Sequence, residues 1–191
     1  MQVRAGACVL LAAMLLLLPI QWVLAGMIAA GVHECFHIGA VYLCGGQVQS
    51  LTIGAGGAEI RTSALPRSRE LLCALAGPAG SAALLLFARW LPRTAVCAAF
   101  HLLFNLLPIF PLDGGRALRC LAFLALPPRP AGRLCRAVQT VACALLGLAA
   151  VYAALRLGLG IFPLLLAAGL WKKAGSNSGK TPCKAFHSAL Q

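Results

Sequence analysis

The sequence predicts an all-α membrane protein of about six transmembrane helices, with a small Gly-rich β-hairpin between the second and third. Three observations lead to this prediction. Of the 191 residues, 61% are hydrophobic and only 10% are charged, whereas about a quarter of a soluble domain is charged. The mean hydropathy is +0.88. Apolar segments of membrane-crossing length recur along the chain and are separated by glycine, proline and arginine.

Six apolar segments come close to the roughly 20 residues that a bilayer-spanning helix needs. They cover residues 7–24, 26–44, 70–91, 94–107, 134–155 and 159–171. The first segment could instead be a signal peptide, but the apolar run continues past Ala25, which favours a span. We therefore expect one membrane domain over residues 1–173, with a catalytic core at about 26–121 and a flexible cytosolic tail over 174–191.

The basic residues predict the orientation of these spans. With a cytosolic N-terminus, thirteen Lys and Arg fall inside and three fall outside, and such an excess is typical of cytosolic loops. Both termini are then cytosolic. The formal charge of +12 thus has a topological explanation, and no basic patch with interleaved aromatic residues suggests nucleic-acid binding. The three outer residues are Arg89, Arg93 and Arg156.

The segment between the second and third spans predicts a β-hairpin. Residues 45–63 read GGQVQSLTIGAGGAEIRTS, in which β-branched and apolar residues flank a Gly-rich centre. Ser68 is a candidate cap for the third helix. Glu70 would lie in the first turn of that helix, where a carboxylate interacts favourably with the helix dipole.

The motif His33-Glu34-Cys35-Phe36-His37 places an acid inside an otherwise uncharged apolar run. An ionisable residue in such a segment is costly and indicates a functional site. Histidines at i and i+4 lie on one face of a helix and can share a metal ion. A glutamate between them is the usual general base of a zinc hydrolase. The second span therefore predicts one catalytic Zn²⁺ ion with His33 and His37 as ligands.

Catalytic zinc takes three protein ligands, so the third must come from elsewhere. Asp113 lies in NLLPIFPLDGGR, whose prolines and glycines predict an unwound segment lining a cavity. Asp113 could instead pair with Arg116 at the cytosolic interface. His101 and Glu59 are the competing ligands. A carboxylate ligand would leave less net charge at the zinc site than a third histidine would, and net charge is costly in a low dielectric. This argument favours Asp113 over His101.

These motifs carry a resemblance. HECFH, the Gly-rich hairpin, Ala76-Gly77-Pro78 and NLLPIFPLDGGR, in this order, resemble the site-2 protease family of intramembrane zinc metalloproteases. The subgroup of the stage-four sporulation protease, which cleaves a membrane-tethered pro-sigma factor in spore-forming bacteria, is the most similar. The likeness covers residues 26–121. The short tail differs from members that carry a nucleotide-binding domain after the membrane core.

The resemblance implies His33, His37 and Asp113 as zinc ligands, Glu34 as catalytic base and Asn105 as a group that polarises the substrate carbonyl. The implied activity is peptide-bond hydrolysis within or beside a transmembrane segment, for example of a membrane-tethered transcription factor precursor. The implied partners are a transmembrane substrate, the lipid bilayer and a candidate membrane regulator. The implied location is a bacterial cell membrane, with the active site near its cytosolic side.

Two other function classes remain open from the residues. Broken helices and intramembrane acids also mark transporters, although no internal repeat with matching interruptions is present. A metal-binding membrane protein without proteolytic activity is the other alternative. The nine cysteines are scattered singly without CxxC spacing, which is typical of small buried thiols rather than of disulfides or a metal cluster.

Overall fold

The computed structural model describes residues 2–3, 5–54, 57–156, 164–165 and 167–172, and this part of the chain is mostly helical. A short strand β1 precedes two helices, a pair of strands and four more helices. In chain order the elements are β1 (Gln2–Val3), α1 (Ala5–Leu17), α2 (Ile20–Leu43), β2 (Val48–Gly54), β3 (Gly57–Thr62), α3 (Arg67–Leu85), α4 (Pro92–Asn105), α5 (Asp113–Ala125) and α6 (Pro128–Arg156).

Two helices in the described residues, α2 and α6, are long and apolar enough to cross a membrane, and α1 is a shorter apolar helix. The six predicted spans stay a prediction. The boundary expected near Ala25 is wrong, because α2 runs without a break from Ile20 to Leu43. The chain breaks instead at Pro19, which has no backbone N–H with which to continue α1 and serves as the N-cap of α2. The predicted tail lies outside the described residues.

Strands β2 and β3 pair antiparallel, with Leu51 opposite Ile60 and Gly54 opposite Gly57. They lie in the segment for which the sequence predicted a hairpin, and the two residues between them are outside the description. Strand β1 pairs parallel with β2, so the sheet order is β1-β2-β3. Strand β1 was not predicted. An irregularity in register falls between Val48 and Ser50.

The chain divides into two compact units, Met1–Leu106 and Leu107–Gln191. In the first unit α2 packs against both α3 and α4. Helix α2 ends at Leu43 with Cys44 as its C-cap. Gly45 follows with a φ of +75°, which is accessible to glycine at little cost. The Arg69 guanidinium donates a hydrogen bond to the Cys44 carbonyl at 2.9 Å, which ties the end of α2 to the start of α3.

Helix α3 begins at Arg67 with Pro66 as its N-cap. The predicted cap at Ser68 is therefore wrong. Proline is favoured at a helix start because its φ is already helical and its missing N–H costs nothing there. Glu70 does lie in the first turn, as the sequence predicted.

The second unit is built on α5 and α6, which pack together. Its buried cluster joins Ile109, which is fully buried, to Cys143 of α6. Partly buried apolar side chains complete the cluster, and they are Leu107, Leu112, Ala142 and Leu146. The segment before α5 is thus anchored in an apolar core. Helix α5 itself was not predicted, because the sequence analysis treated this region as an unwound span.

Candidate metal centre

The two histidines of the HECFH motif lie one turn apart on α2 and are both buried. Their exposed fractions are 2% for His33 and 7% for His37. Their Nε2 atoms are 3.1 Å apart. Two ligands of one tetrahedral zinc ion, each at 2.0–2.1 Å, would be about 3.3 Å apart. The spacing of the pair therefore fits one shared ion.

Helix α3 fixes the far nitrogen of each ring. His37 Nδ1 donates to the backbone carbonyl of Cys73 at 2.7 Å, and His33 Nδ1 lies 2.9 Å from the Ser81 hydroxyl oxygen. A carbonyl can only accept, so the neutral His37 ring carries its proton on Nδ1 and its lone pair on Nε2. Metal-binding histidines are commonly oriented by such a bond at the second nitrogen.

Helix α3 can lie against both rings because residue 77 is glycine. A Cβ placed on Gly77 would lie 2.7 Å from His33 Nε2 and closer still to His37 Nε2. Real side-chain carbons do not approach ring nitrogens so closely, so any side chain at this position would displace the rings. The two converging ring nitrogens of this unit fit a metal ion as donor atoms.

Helix α4 contributes His101, the sequence-predicted competitor for the third ligand. Its ring meets the His33 ring edge to face, with centroids 4.5 Å apart and an interplanar angle of 89°. Such a T-shaped arrangement is a favourable packing geometry between rings. The contact brings α4 against the histidine pair.

Asn105 is the last residue of α4 and is half-buried. Its side-chain amide donates to the His101 carbonyl at 3.0 Å. An asparagine amide has two N–H donors, so this bond orients the side chain and uses one of them. The second N–H is the one that the predicted role, hydrogen bonding to a substrate carbonyl, would need.

Glu34 follows His33 directly on α2 and is half-buried. It belongs to the same compact unit as His33, His37, His101 and Asn105. Partial exposure suits a proton carrier, because a fully buried carboxylate would be neutralised or paired. The structure thus places the predicted base in the same unit as the histidine pair.

In the second unit Asp113 is the first residue of α5 and is 7% exposed. A carboxylate is favourable at a helix N-terminus. Its alternative role, an interfacial ion pair with Arg116, is present only in a loose form, because the closest nitrogen–oxygen distance is 3.9 Å. That pair is too long for a direct hydrogen bond.

The turn before Asp113 is held from both neighbouring helices of its unit. The Phe110 backbone N–H donates to the Gln139 side-chain oxygen of α6 at 3.2 Å, and the Arg119 guanidinium of α5 lies 5.4 Å from the centre of the Phe110 ring. Gly115 lets α5 approach the turn, since a Cβ there would lie 2.5 Å from Phe110 N. The non-helical segment that the sequence predicted before Asp113 is present between α4 and α5.

Glu59, the remaining acid among the candidate ligands, lies on β3. The backbone of Glu59 pairs with Thr52 in the sheet, and its side chain is outside the description. Within the described residues eight cysteines are present as free thiols.

Comparisons with known proteins bear on the fold. No protein-family model matches the sequence, and no curated protein matches it. Among solved structures, the site-2 protease from Methanocaldococcus jannaschii superposes with a TM-score of 0.62 at 19% identity, over 91% of this chain and 86% of that one. The chain has the site-2 protease fold. The sequence prediction of this fold is confirmed, whereas the sporulation subgroup stays a prediction. The site-2 protease fold and the two long apolar helices together indicate a membrane protein.

Within the site-2 protease fold, sequence reasoning missed the contribution of α3. It used Ala76-Gly77-Pro78 only as one of the motifs that carry the resemblance, and it gave Ser81 and the Cys73 carbonyl no role. The signal was present in the sequence, because Cys73, Gly77 and Ser81 are spaced by four residues and lie on one helical face. The spacing alone could not show that this face of α3 contacts the histidines, because the sequence does not show which helix packs on α2.

Proposed function

We propose that this protein is an intramembrane zinc metalloprotease that hydrolyses a peptide bond within or beside a transmembrane segment of a membrane protein. The observation that carries the proposal is the buried His33–His37 pair, whose Nε2 atoms converge to 3.1 Å in a chain with the site-2 protease fold. Glu34 in the same turn of α2 supplies the acid–base group that hydrolysis requires.

The proposed ligand set is His33, His37 and Asp113. Each offers one ligand atom, a ring nitrogen or a carboxylate oxygen, and all three side chains are buried. Two neutral imidazoles and one carboxylate reduce the charge of Zn²⁺ to +1, which lowers the cost of holding the ion away from bulk water. The ion would supply Lewis acidity, which acidifies water and polarises a carbonyl.

The protein's own groups then act on the proton and on the developing negative charge. Glu34 accepts a proton from the attacking water and returns it to the leaving amine. The Asn105 side chain donates its second N–H to the substrate carbonyl oxygen, where negative charge develops. The bond from Asn105 to the His101 carbonyl keeps the amide in one orientation, which reduces the entropy cost of that interaction.

The substrate class follows from the membrane setting. A transmembrane helix hides its backbone carbonyls in its own hydrogen bonds, so the substrate must unwind before it is cut. Strand β3 is at one end of the sheet order, and an extended peptide can bind such an edge through main-chain hydrogen bonds. We extend the proposal to a membrane-tethered transcription factor precursor as substrate, cleaved near the cytosolic side of a bacterial membrane under control of a membrane regulatory partner.

The test combines metal analysis with a map of cleavage products. Cells producing wild-type protein or Glu34→Gln are compared by proteomics for new peptide termini inside apolar segments, and zinc is measured in both purified proteins. We expect both proteins to hold one zinc ion and only the wild type to generate such termini. Glu70→Gln, an acid-to-amide change in the first turn of α3, serves as the control. Equal cleavage by Glu34→Gln would show that the proposal is wrong.

A further inference from the structure

One face of α3, formed by Cys73, Gly77 and Ser81, runs past both histidines. We call it the α3 inner face. The three residues are spaced by four, so they form one stripe along the helix, and all three are buried. Cys73 meets His37, whereas Ser81 meets His33. The contacts therefore follow opposite chain directions on the two helices, with Gly77 midway between them.

The two hydrogen bonds of this face act on the nitrogens that point away from the metal position. Each Nδ1 is held within 3 Å of an oxygen on α3, at 2.7 Å for His37 and 2.9 Å for His33. A histidine offers a lone pair at Nε2 only when its proton is on Nδ1. An oxygen beside Nδ1 that accepts a hydrogen bond stabilises that tautomer.

The two bonds differ in what they enforce. The Cys73 carbonyl can only accept, so it fixes the His37 tautomer. The Ser81 hydroxyl can donate or accept, so it permits two arrangements of His33. In one, the His33 proton lies on Nε2 and is shared with His37 Nε2 across 3.1 Å. In the other it lies on Nδ1 and points to Ser81, and both Nε2 lone pairs face the same space.

Gly77 determines whether the two nitrogens can keep this arrangement. A Cβ at this position would lie 2.7 Å from His33 Nε2 and nearer to His37 Nε2, so it would push both rings away from their positions beside α3. Glycine is therefore required here by close approach, since the helix itself would be better stabilised by alanine.

We propose that the α3 inner face makes the histidine pair a metal site, with Ser81 as a positioning residue for His33 and Gly77 as the residue whose missing side chain lets α3 lie against both rings without displacing them. This inference rests on the proposed zinc function and deepens it. The HECFH motif alone supplies two nitrogens on a helix. Helix α3 orients the two rings so that both Nε2 atoms direct their lone pairs to the same position.

The experiment is a metal titration of the purified full-length protein, stripped of metal and kept in lipid nanodiscs. Cobalt(II) is the probe, because its visible absorption reports ligand number and geometry independently of proteolysis. Zinc is then added as a competitor. The variants are Gly77→Ala, Ser81→Ala and Ser81→Thr, and circular dichroism checks the helix content of each.

We expect Gly77→Ala to lose stoichiometric binding. Ser81→Ala should weaken cobalt binding by about 10–100-fold, the usual effect of removing a group that orients a metal ligand. Ser81→Thr keeps the hydroxyl and should recover most of the affinity.

Two glycine controls separate loss of the metal position from other effects. Gly39→Ala adds a Cβ to α2 at a position where no other atom lies within 4 Å of it. This variant should bind cobalt as the wild type does. Gly80→Ala overpacks α3 against Phe36, whose ring carbon Cδ2 would lie 2.7 Å away. It should lower stability yet keep the cobalt spectrum, because Phe36 is not a ligand.

The outcomes distinguish the inference from the function on which it rests. A wild-type protein that binds neither cobalt nor zinc contradicts the proposed function itself. A wild type that binds the metal, together with Gly77→Ala or Ser81→Ala binding with unchanged affinity and spectrum, overturns the inference and leaves the protease proposal intact. If Gly77→Ala loses its helix content, Ser81→Ala decides, because it removes one oxygen and adds no bulk.

Discussion

His33 and His37 hold their Nε2 atoms 3.1 Å apart while their Nδ1 atoms bond to α3. The i, i+4 spacing puts the rings on one face of α2, but the convergence of their nitrogens depends on the second helix. A pair of buried imidazoles in this arrangement is prepared for a cation, because its nitrogens are already at the spacing of two zinc ligands. The predictions below follow from this relationship and from the turn that carries Asp113.

Zinc should stabilise the wild-type protein against thermal unfolding. At a free zinc concentration about 100-fold above Kd, binding to the folded state alone contributes about 2.7 kcal/mol. We expect the unfolding midpoint to rise by several degrees on adding zinc and to return on chelation. The His37→Ala variant, which keeps one histidine of the pair, should show no shift. A zinc-dependent shift of equal size in that variant would contradict the assignment of His37.

Asp113→Asn should abolish stoichiometric zinc binding. The substitution keeps the side-chain size but removes the negative charge that offsets the ion. We expect metal analysis to show loss of zinc in Asp113→Asn and full occupancy in the control Glu70→Gln. If Asp113→Asn retains zinc and His101→Ala loses it, the third ligand is His101 instead.

Gly115→Ala should disrupt the turn before Asp113. Its Cβ would lie 2.5 Å from Phe110 N and 2.7 Å from Ile109 O, and backbone atoms cannot move aside as a flexible side chain can. Overpacking of this kind costs about 1–3 kcal/mol. Gly147→Ala on α6 has nothing within 4 Å and should be neutral or stabilising, because alanine favours a helix by up to about 1 kcal/mol. Thermal unfolding of the two variants measures the difference.

Gln139→Leu should weaken the anchoring of the same turn. It removes the oxygen that accepts the Phe110 backbone N–H. A buried donor left without its acceptor costs about 1–3 kcal/mol, and this partly buried N–H should fall at the low end of that range. Thr140→Val, an exposed polar-to-apolar change at the next position of α6, is the matched control. We expect faster proteolysis or hydrogen exchange around Phe110 in Gln139→Leu alone. Identical exchange in both variants would show that the bond is dispensable.

Proline substitutions along β3 should impair cleavage if the substrate adds to this strand. Successive residues of a strand direct their N–H groups alternately to the two sides, so prolines at Ile60 and at Arg61 probe different edges. One of the two prolines removes a backbone hydrogen bond between β3 and β2. The other removes a backbone N–H donor at the outer edge of β3. Loss of cleavage at the outer-edge position, with the sheet retained, supports strand addition. Normal cleavage by both variants would remove this route of substrate binding.

The family of the fold was accessible from the sequence because motif identity and motif order can be read along the chain. The HECFH motif and the Asp113 segment resemble the site-2 protease family, and the structural comparison confirms the fold that this resemblance implies. The helix boundaries were less accessible. Helix α1 ends before Pro19, and α3 begins at Arg67. Several nearby polar or proline residues could have marked these ends, and the apolar pattern alone does not show which of them the chain uses.

The candidate site shows the same division. The spacing of His33 and His37 and the acid between them determined the type of chemistry, since a helix fixes which residues share a face. The sequence could not show that Ser81 and the Cys73 carbonyl orient the rings, that Gly77 lets α3 approach them or that Gln139 secures the turn before Asp113. These contacts join residues 29 to 48 positions apart, and only the packing of one helix on another brings them together.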